Sequence, residues 1–149
     1  MATEPVLKTV ECNSLGGSTP PPSVGYKFQM KHILFTLTGC NSELLDDEGF
    51  VRDVVFAAAR VCKSTLLALN SHKFEPQGVT CVAMLAESHI SIHTWPENQM
   101  AVCDVFTCGD HTVPEDAVEY MKTEFESKGI LQKMVDRRLD KDPSFCYDS

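Results

Sequence analysis

The segment AESHISIHTWPE, residues 86–97, sets hydroxyl, imidazole, carboxyl and indole groups within twelve residues whose apolar positions alternate as in a strand. Nucleophilic hydrolysis, metal binding and proton transfer all draw on such groups. A hydrolase triad needs its serine at a strand-to-helix elbow such as G-x-S-x-G, and AESHI around Ser88 has neither the glycines nor a following helix. The nearest approach to a metal set is His89 and His93 with Cys103 or Cys108. A strand holds two histidines four residues apart about 13 Å from each other, so a shared ion is not expected, and C-x-x-C is absent. Taken singly, each group has an ordinary reading: Ser88 as a turn former, His93 as a strand histidine, Cys108 as core, Phe74 and Trp95 as packing residues, Glu97 as a solvated loop acid.

Elements that would position these groups follow from hydrophobic period and punctuation. KHILFTLTGC reads as a strand ending at Gly39. Asn41 or Ser42 then caps one helix carrying Leu44, Leu45, Phe50, Val54, Val55, Ala58, Val61 and Cys62. STLLALNSHKF is a second strand, and EPQG is a turn in which Pro76 presets φ. VTCVAMLAES and HISIHTW are strands meeting near Glu87, and MAVCDVFTC is a fifth, broken by Gly109. VPEDAVEYMKTEFESKG is a second helix, with Pro114 in its first turn and Gly129 past its end, and ILQKMVDRR closes the sheet. The order β-α-β-β-β-β-α-β with short connections predicts an α/β (α+β) two-layer sandwich, a mainly antiparallel sheet packed on two helices.

The 149 residues suffice for one domain with a core. SLGGSTPPPSVG lacks a sustained apolar period, so residues 1–29 read as a flexible tail, 30–139 as the domain and 140–149 as a C-terminal tail. Lys plus Arg number 13 against 21 Asp plus Glu, a net charge of −8, which argues against nucleic acid and suits a cationic small substrate. No run approaches the roughly 18 apolar residues of a spanning helix, and MATEPVLKTVEC lacks a signal-peptide layout, so a cytoplasmic protein without membrane attachment is expected. Seven cysteines, an odd number at irregular spacings, are unlike a secreted disulfide framework and fit a reducing compartment with most of them buried.

In combination the motifs say more. LAESHISIHTWPE, preceded by KFEPQGVT and followed by AVCDVFTCGD, closely resembles the prokaryotic S-adenosylmethionine decarboxylases, pyruvoyl-dependent enzymes of spermidine synthesis, over residues 30–138. The resemblance implies that family's sandwich fold and a cofactor made from the chain itself: Ser88 attacks the Glu87 carbonyl, and cleavage leaves a β chain 1–87 and an α chain 88–149 that begins with a pyruvoyl group. It further implies Thr80 as the hydroxyl that holds the oxyanion, where the family pattern has Ser, and His93 as the base. In turnover the amine of S-adenosylmethionine would form a Schiff base with pyruvoyl-88, and Cys108 would return a proton after CO₂ leaves. Phe74 would stack on adenine, Glu97 would bind the ribose hydroxyls, and Trp95 would either add an aromatic face near the sulfonium or only pack. Thr36 and Thr38 depart from the family pattern, which favours an acid and an aromatic there. A relative acting on ornithine or arginine, and a non-catalytic homologue with a binding role, are the alternatives. Phe74 with TWPE favours the first reading over one, and intact Ser88, His93 and Cys108 favour it over the other.

Strand parity adds an expectation about assembly. Ser88 and His93 are five residues apart, so in a regular strand they face opposite ways. The family works as a homodimer, and the resemblance implies sites at the interface, with pyruvoyl-88 and Cys108 of one protomer meeting Thr80, His93, Phe74 and Glu97 of the other.

Overall fold

A computed structural model describes residues 29–137, so the two tails expected from composition lie, but for residue 29, outside the described residues and beyond their C-terminal edge. The elements in order are β1 (Met30–Thr38), α1 (Ser42–Asp46), α2 (Glu48–Val61), β2 (Leu66–Lys73), β3 (Val79–Leu85), β4 (Ser88–Trp95), a 3-10 turn (Pro96–Asn98), β5 (Met100–Cys108), α3 (Pro114–Glu124) and β6 (Gly129–Asp136). The six strands form one sheet in the order β2-β3-β4-β5-β1-β6, and every neighbouring pair is antiparallel. This is the expected two-layer α+β sandwich.

Burial alternates along the strands as a one-sided sheet requires. Ile33, Phe35 and Leu37 of β1, Val79, Cys81, Ala83 and Leu85 of β3, Ile90 and Ile92 of β4, and Ala101, Cys103 and Val105 of β5 are buried in one core with Val51, Val54, Val55 and Ala58 of α2 and Ala117, Val118 and Met121 of α3. The alternate residues lie on the other face, which no helix of the described residues covers. Thr94 is the one buried polar residue of β4. Its hydroxyl donates to the Leu45 carbonyl at 2.8 Å and accepts from the Val79 N–H at 2.8 Å, which ties β4 to α1 and β3 without an unpaired buried group. Four cysteines, Cys40, Cys62, Cys81 and Cys103, are buried as expected, and Cys108 is half-buried. Burial pushes the Cys81 thiol up to about 11.

Two helix boundaries differ from the sequence expectation. The single helix predicted after Asn41 is two, because the Asp47 side chain turns back to accept from the Phe50 N–H at 3.0 Å and caps a new helix, its own backbone being extended (φ −88°, ψ 104°). Asn41 caps the short first helix, accepting from the Glu43 N–H at 3.0 Å. The last helix stops at Glu124, with Phe125 as C-cap and Glu126 in left-handed backbone at φ 53°, so Gly129 does not end it. Gly129 instead starts β6, where a Cβ would lie 2.7 Å from Thr38 Oγ1: the glycine serves close strand pairing.

The cap carries a test. Asp47→Ala is expected to lower unfolding free energy by about 1 kcal/mol, measured by urea denaturation, with Asp47→Asn near wild type. An unchanged midpoint in Asp47→Ala would mean that the two helices do not need the cap.

Candidate active site

The sequence-predicted residues fall into two groups, one at each end of β4. At its start, β3 turns back through Ala86 and Glu87, and Ser88 pairs with Leu85 on one side and Thr107 on the other. Ser88 has φ 144°, backbone that a non-glycine residue rarely adopts and that costs on the order of 1–3 kcal/mol. The Glu87 carbonyl accepts from the Cys108 N–H at 3.0 Å, so the peptide bond between Glu87 and Ser88 lies beside Cys108, with its carbonyl polarised by a backbone donor.

At the other end, Thr80 and His93 are register partners on the uncovered face, and Thr80 Oγ1 lies 2.9 Å from His93 Nδ1. The hydroxyl donates when Nδ1 is bare and accepts when it carries hydrogen. Trp95 follows on the same face, its ring 6.4 Å from that of His93. Phe74, 46% exposed, leads into the β2–β3 turn, which contains a cis Glu75–Pro76 bond and closes through the Phe74 N–H on the Gly78 carbonyl at 2.8 Å. Glu97, in the 3-10 turn, accepts from Gln77 Nε2 at 3.1 Å, so it stands over that same turn. Thr80, His93, Trp95, Phe74 and Glu97 therefore share one end of the uncovered face. Five residues of strand, on the order of 16 Å, separate Ser88 from His93. Within one chain the two groups stand at opposite ends of β4.

Several groups escaped the sequence reading. His72, the register partner of Thr80, meets Phe74 edge-on with ring centroids 4.6 Å apart and so orients the exposed ring. On the uncovered face next to the turn at Glu87, Asp104 Oδ2 lies 2.8 Å from His32 Nε2 and 2.8 Å from His89 Nε2, and Asp104 Oδ1 accepts from the Ser91 hydroxyl. Burial pushes the Asp104 carboxyl up, but the hydrogen bonds from Ser91, His32 and His89 outweigh it and hold the group below the ordinary carboxylate range. An ionised carboxylate only accepts, so both Nε2 atoms carry hydrogen. His89, paired on the sequence reading with His93, belongs with His32 and Asp104, whose donor atoms lie within 4.8 Å of one another. The signal is weak in sequence because it joins three strands.

The sign of the Asp104 shift yields a test. A depressed folded pKa stabilises above the unfolded value of about 3.9 and is lost as pH falls through the folded one. Asp104→Asn is expected to cost roughly 1–3 kcal/mol at pH 7 by chemical denaturation, with the gap from wild type narrowing below about pH 4. An equal gap at both pH values would assign the cost to shape and not to charge.

Residues 31–138 match the family model described as S-adenosylmethionine decarboxylase. The chain is 54% identical over 97 residues, 65% of its length and 76% of the relative's, to an S-adenosylmethionine decarboxylase proenzyme of Synechococcus sp. (strain WH7803). It is 50% identical over 107 residues, 72% of its length and 86% of the relative's, to one of Prochlorococcus marinus (strain MIT 9313). Its fold matches the crystal structure of the adenosylmethionine decarboxylase from Aquifex aeolicus VF5 with a TM-score of 0.72 at 34% identity, covering 78% of this chain and 96% of that one. The sheet, its helices and the segment around Glu87 and Ser88 are thus those of a known kind of protein, and the chain belongs to the S-adenosylmethionine decarboxylase family.

Proposed function

We propose that this chain cleaves itself between Glu87 and Ser88 and then decarboxylates S-adenosylmethionine with the pyruvoyl group so formed, giving the decarboxylated aminopropyl donor and CO₂. The observation that carries the reading is the Glu87–Ser88 peptide bond itself: in a chain of this family, its carbonyl rests on the Cys108 N–H and its serine sits in strained backbone. Both features suit a serine that must become the cofactor. A precise turn carbonyl and a nucleophile already distorted lower the reorganisation that attack requires.

In the cleavage, Ser88 Oγ attacks the Glu87 carbonyl carbon, its proton passes to a base, and the C–N bond breaks to leave an ester and a free Ser88 amine. Thr80 is the hydroxyl assigned to the oxyanion and His93 the base. Their contact at 2.9 Å lets the hydroxyl stay oriented while the imidazole takes a proton. Loss of the Ser88 Cα proton expels the Glu87 carboxylate, and the dehydroalanine left behind gains water and loses ammonia. The products are a β chain 1–87 and an α chain 88–149, which together make up the domain 30–139. The ketone at position 88 supplies an electrophile for the substrate amine and a sink for the electrons that CO₂ leaves behind. Cys108, one residue past Thr107, the partner of Ser88, is the proton source for the product carbon. Phe74, buttressed by His72, offers a face to adenine, Glu97 accepts from the ribose hydroxyls, and Trp95 extends the aromatic surface toward the sulfonium.

The active site on this reading is shared between two copies. Leu34, Val82, Met84, Val102 and Leu131 are exposed on the uncovered face, which gives a second copy an apolar surface to bury. A two-fold pairing of such faces sets the Ser88 end of one chain against the His93 end of the other. The partners are S-adenosylmethionine and a second copy, with no role for nucleic acid, membrane or a metal ion, and the setting is cytoplasmic. No helix among the described residues is long and apolar enough to cross a membrane.

Intact mass of the purified protein tests the first step: wild type should appear as two chains and Ser88→Ala as one, inactive. Carboxyl-labelled S-adenosylmethionine should release CO₂ in preference to labelled ornithine or arginine. Faster release from either would move the substrate assignment, and a single uncleaved wild-type chain would favour a binding homologue. The shared site is tested by complementation. Ser88→Ala and His93→Ala chains, each inactive alone, should recover cleavage when co-expressed, since a mixed dimer holds one complete site. Proven mixed dimers without cleavage would reject the shared site.

A further inference from the structure

The carbonyl under attack belongs to Glu87, and the side chain of that residue is held more firmly than a turn acid needs. Its side chain is 12% exposed. Oε2 accepts from the Thr65 N–H at 2.9 Å, and Oε1 is 3.4 Å from the Thr65 hydroxyl and 3.3 Å from His111 Nε2. The Ala86 N–H donates to the Thr65 carbonyl at 2.9 Å, so the approach to β2 and the cleavage turn are bound to each other in both directions. Burial pushes the Glu87 carboxyl up, yet the Thr65 amide and His111 outweigh it and keep the group ionised. His111 is 61% exposed, which leaves it little packing to explain its place.

The loop after β5 puts it there. Gly109 has φ 108°, and a Cβ on it would stand 2.9 Å from His111 Cε1 and 3.0 Å from Nδ1, so the imidazole lies directly over the glycine. The Thr112 hydroxyl closes the loop on the Gly109 carbonyl at 3.0 Å and lies 3.0 Å from Thr107 Oγ1. One short segment therefore grips Glu87 twice, by the Cys108 N–H on its carbonyl oxygen and by the His111 imidazole on its carboxylate.

Building on the self-cleavage reading above, we infer that His111 is a positioning residue for that reaction: acting through the Glu87 carboxylate, with the Thr65 amide as the opposing hold, it keeps the Glu87 carbonyl seated on the Cys108 N–H while Ser88 attacks, and keeps the new chain end seated after the bond opens. His111 touches none of the reacting atoms in this role. Its contribution is the orientation of one carbonyl, which a turn free to rotate about the Glu87 side chain would lose.

His111→Met and His111→Gln are close in size at an exposed position, and only glutamine donates a hydrogen bond. Following the two cleavage fragments by intact mass after a translation pulse, His111→Gln should cleave at the wild-type rate and His111→Met on the order of three- to tenfold more slowly, the loss of one ordinary, solvent-exposed hydrogen bond. In a Glu87→Ala background the two should cleave alike, because the route through the carboxylate is gone. Wild-type cleavage by His111→Met overturns the inference, as does a Met-to-Gln difference that survives without Glu87, which would mean a role in shaping the loop alone. A wild-type chain that never cleaves overturns the self-cleavage reading itself and is told apart by that result.

Discussion

The period of two along β4 is the constraint from which the rest follows. Ile90 and Ile92 are fully buried against the helices, and a strand that commits those positions to the core sends His89, Ser91 and His93 to the opposite face. A slip of one residue would drive two imidazoles into an apolar core and expose two isoleucines, so hydrophobic burial fixes the chemical face more rigidly than any contact among the polar groups does. Thr94 strengthens the same register from inside, since its hydroxyl finds both an acceptor in α1 and a donor in β3 only at that position.

Register then sorts the polar face into rows. One row runs across all six strands as His72, Thr80, His93, Val102, Thr36 and Leu131. The next runs as Asn70, Val82, Ser91, Asp104, Leu34 and Lys133. Asp104 reaches diagonally past Phe106 to His32 and His89, whose rings flank that phenylalanine at 5.1 and 5.8 Å. The carboxylate is thereby occupied by its own row and the one beyond, on the side away from His93. Within its row His93 stands between Thr80 and Val102, so it meets a hydroxyl and no acid.

Legibility in the sequence followed the range of the physics. Strand positions were readable because alternation and turn residues act over a few neighbours, and the distance between Ser88 and His93 follows from their spacing along one strand. The break at Asp47 was local too, but an aspartate inside a helical apolar period looks like a solvated position until its side chain is seen capping Phe50. Gly129 was read as a helix stop, when its lack of a side chain answers to Thr38, 91 residues earlier. The bond between His32 and Asp104 spans 72 residues, and no periodicity encodes which strands become neighbours. His111 is the extreme case, since its place depends on a loop fold after β5 and on a carboxylate 24 residues back.

Strain at Ser88 makes sense only in that wider frame. Left-handed backbone in a non-glycine residue relaxes unless its surroundings over-determine it. Here Ser88 is paired on both sides, the preceding carbonyl is held by Cys108, and the preceding carboxylate is held by Thr65 and His111. Those partners come from four places in the chain: β3, β5, the connection into β2 and the loop before α3. The turn is consequently braced by strands and loops on both sides of β4 while the opposite end of the strand, where Phe74 is 46% exposed, is left open. Bracing at the Ser88 end and exposure at the Phe74 end are thus distributed along one strand by the sheet order itself.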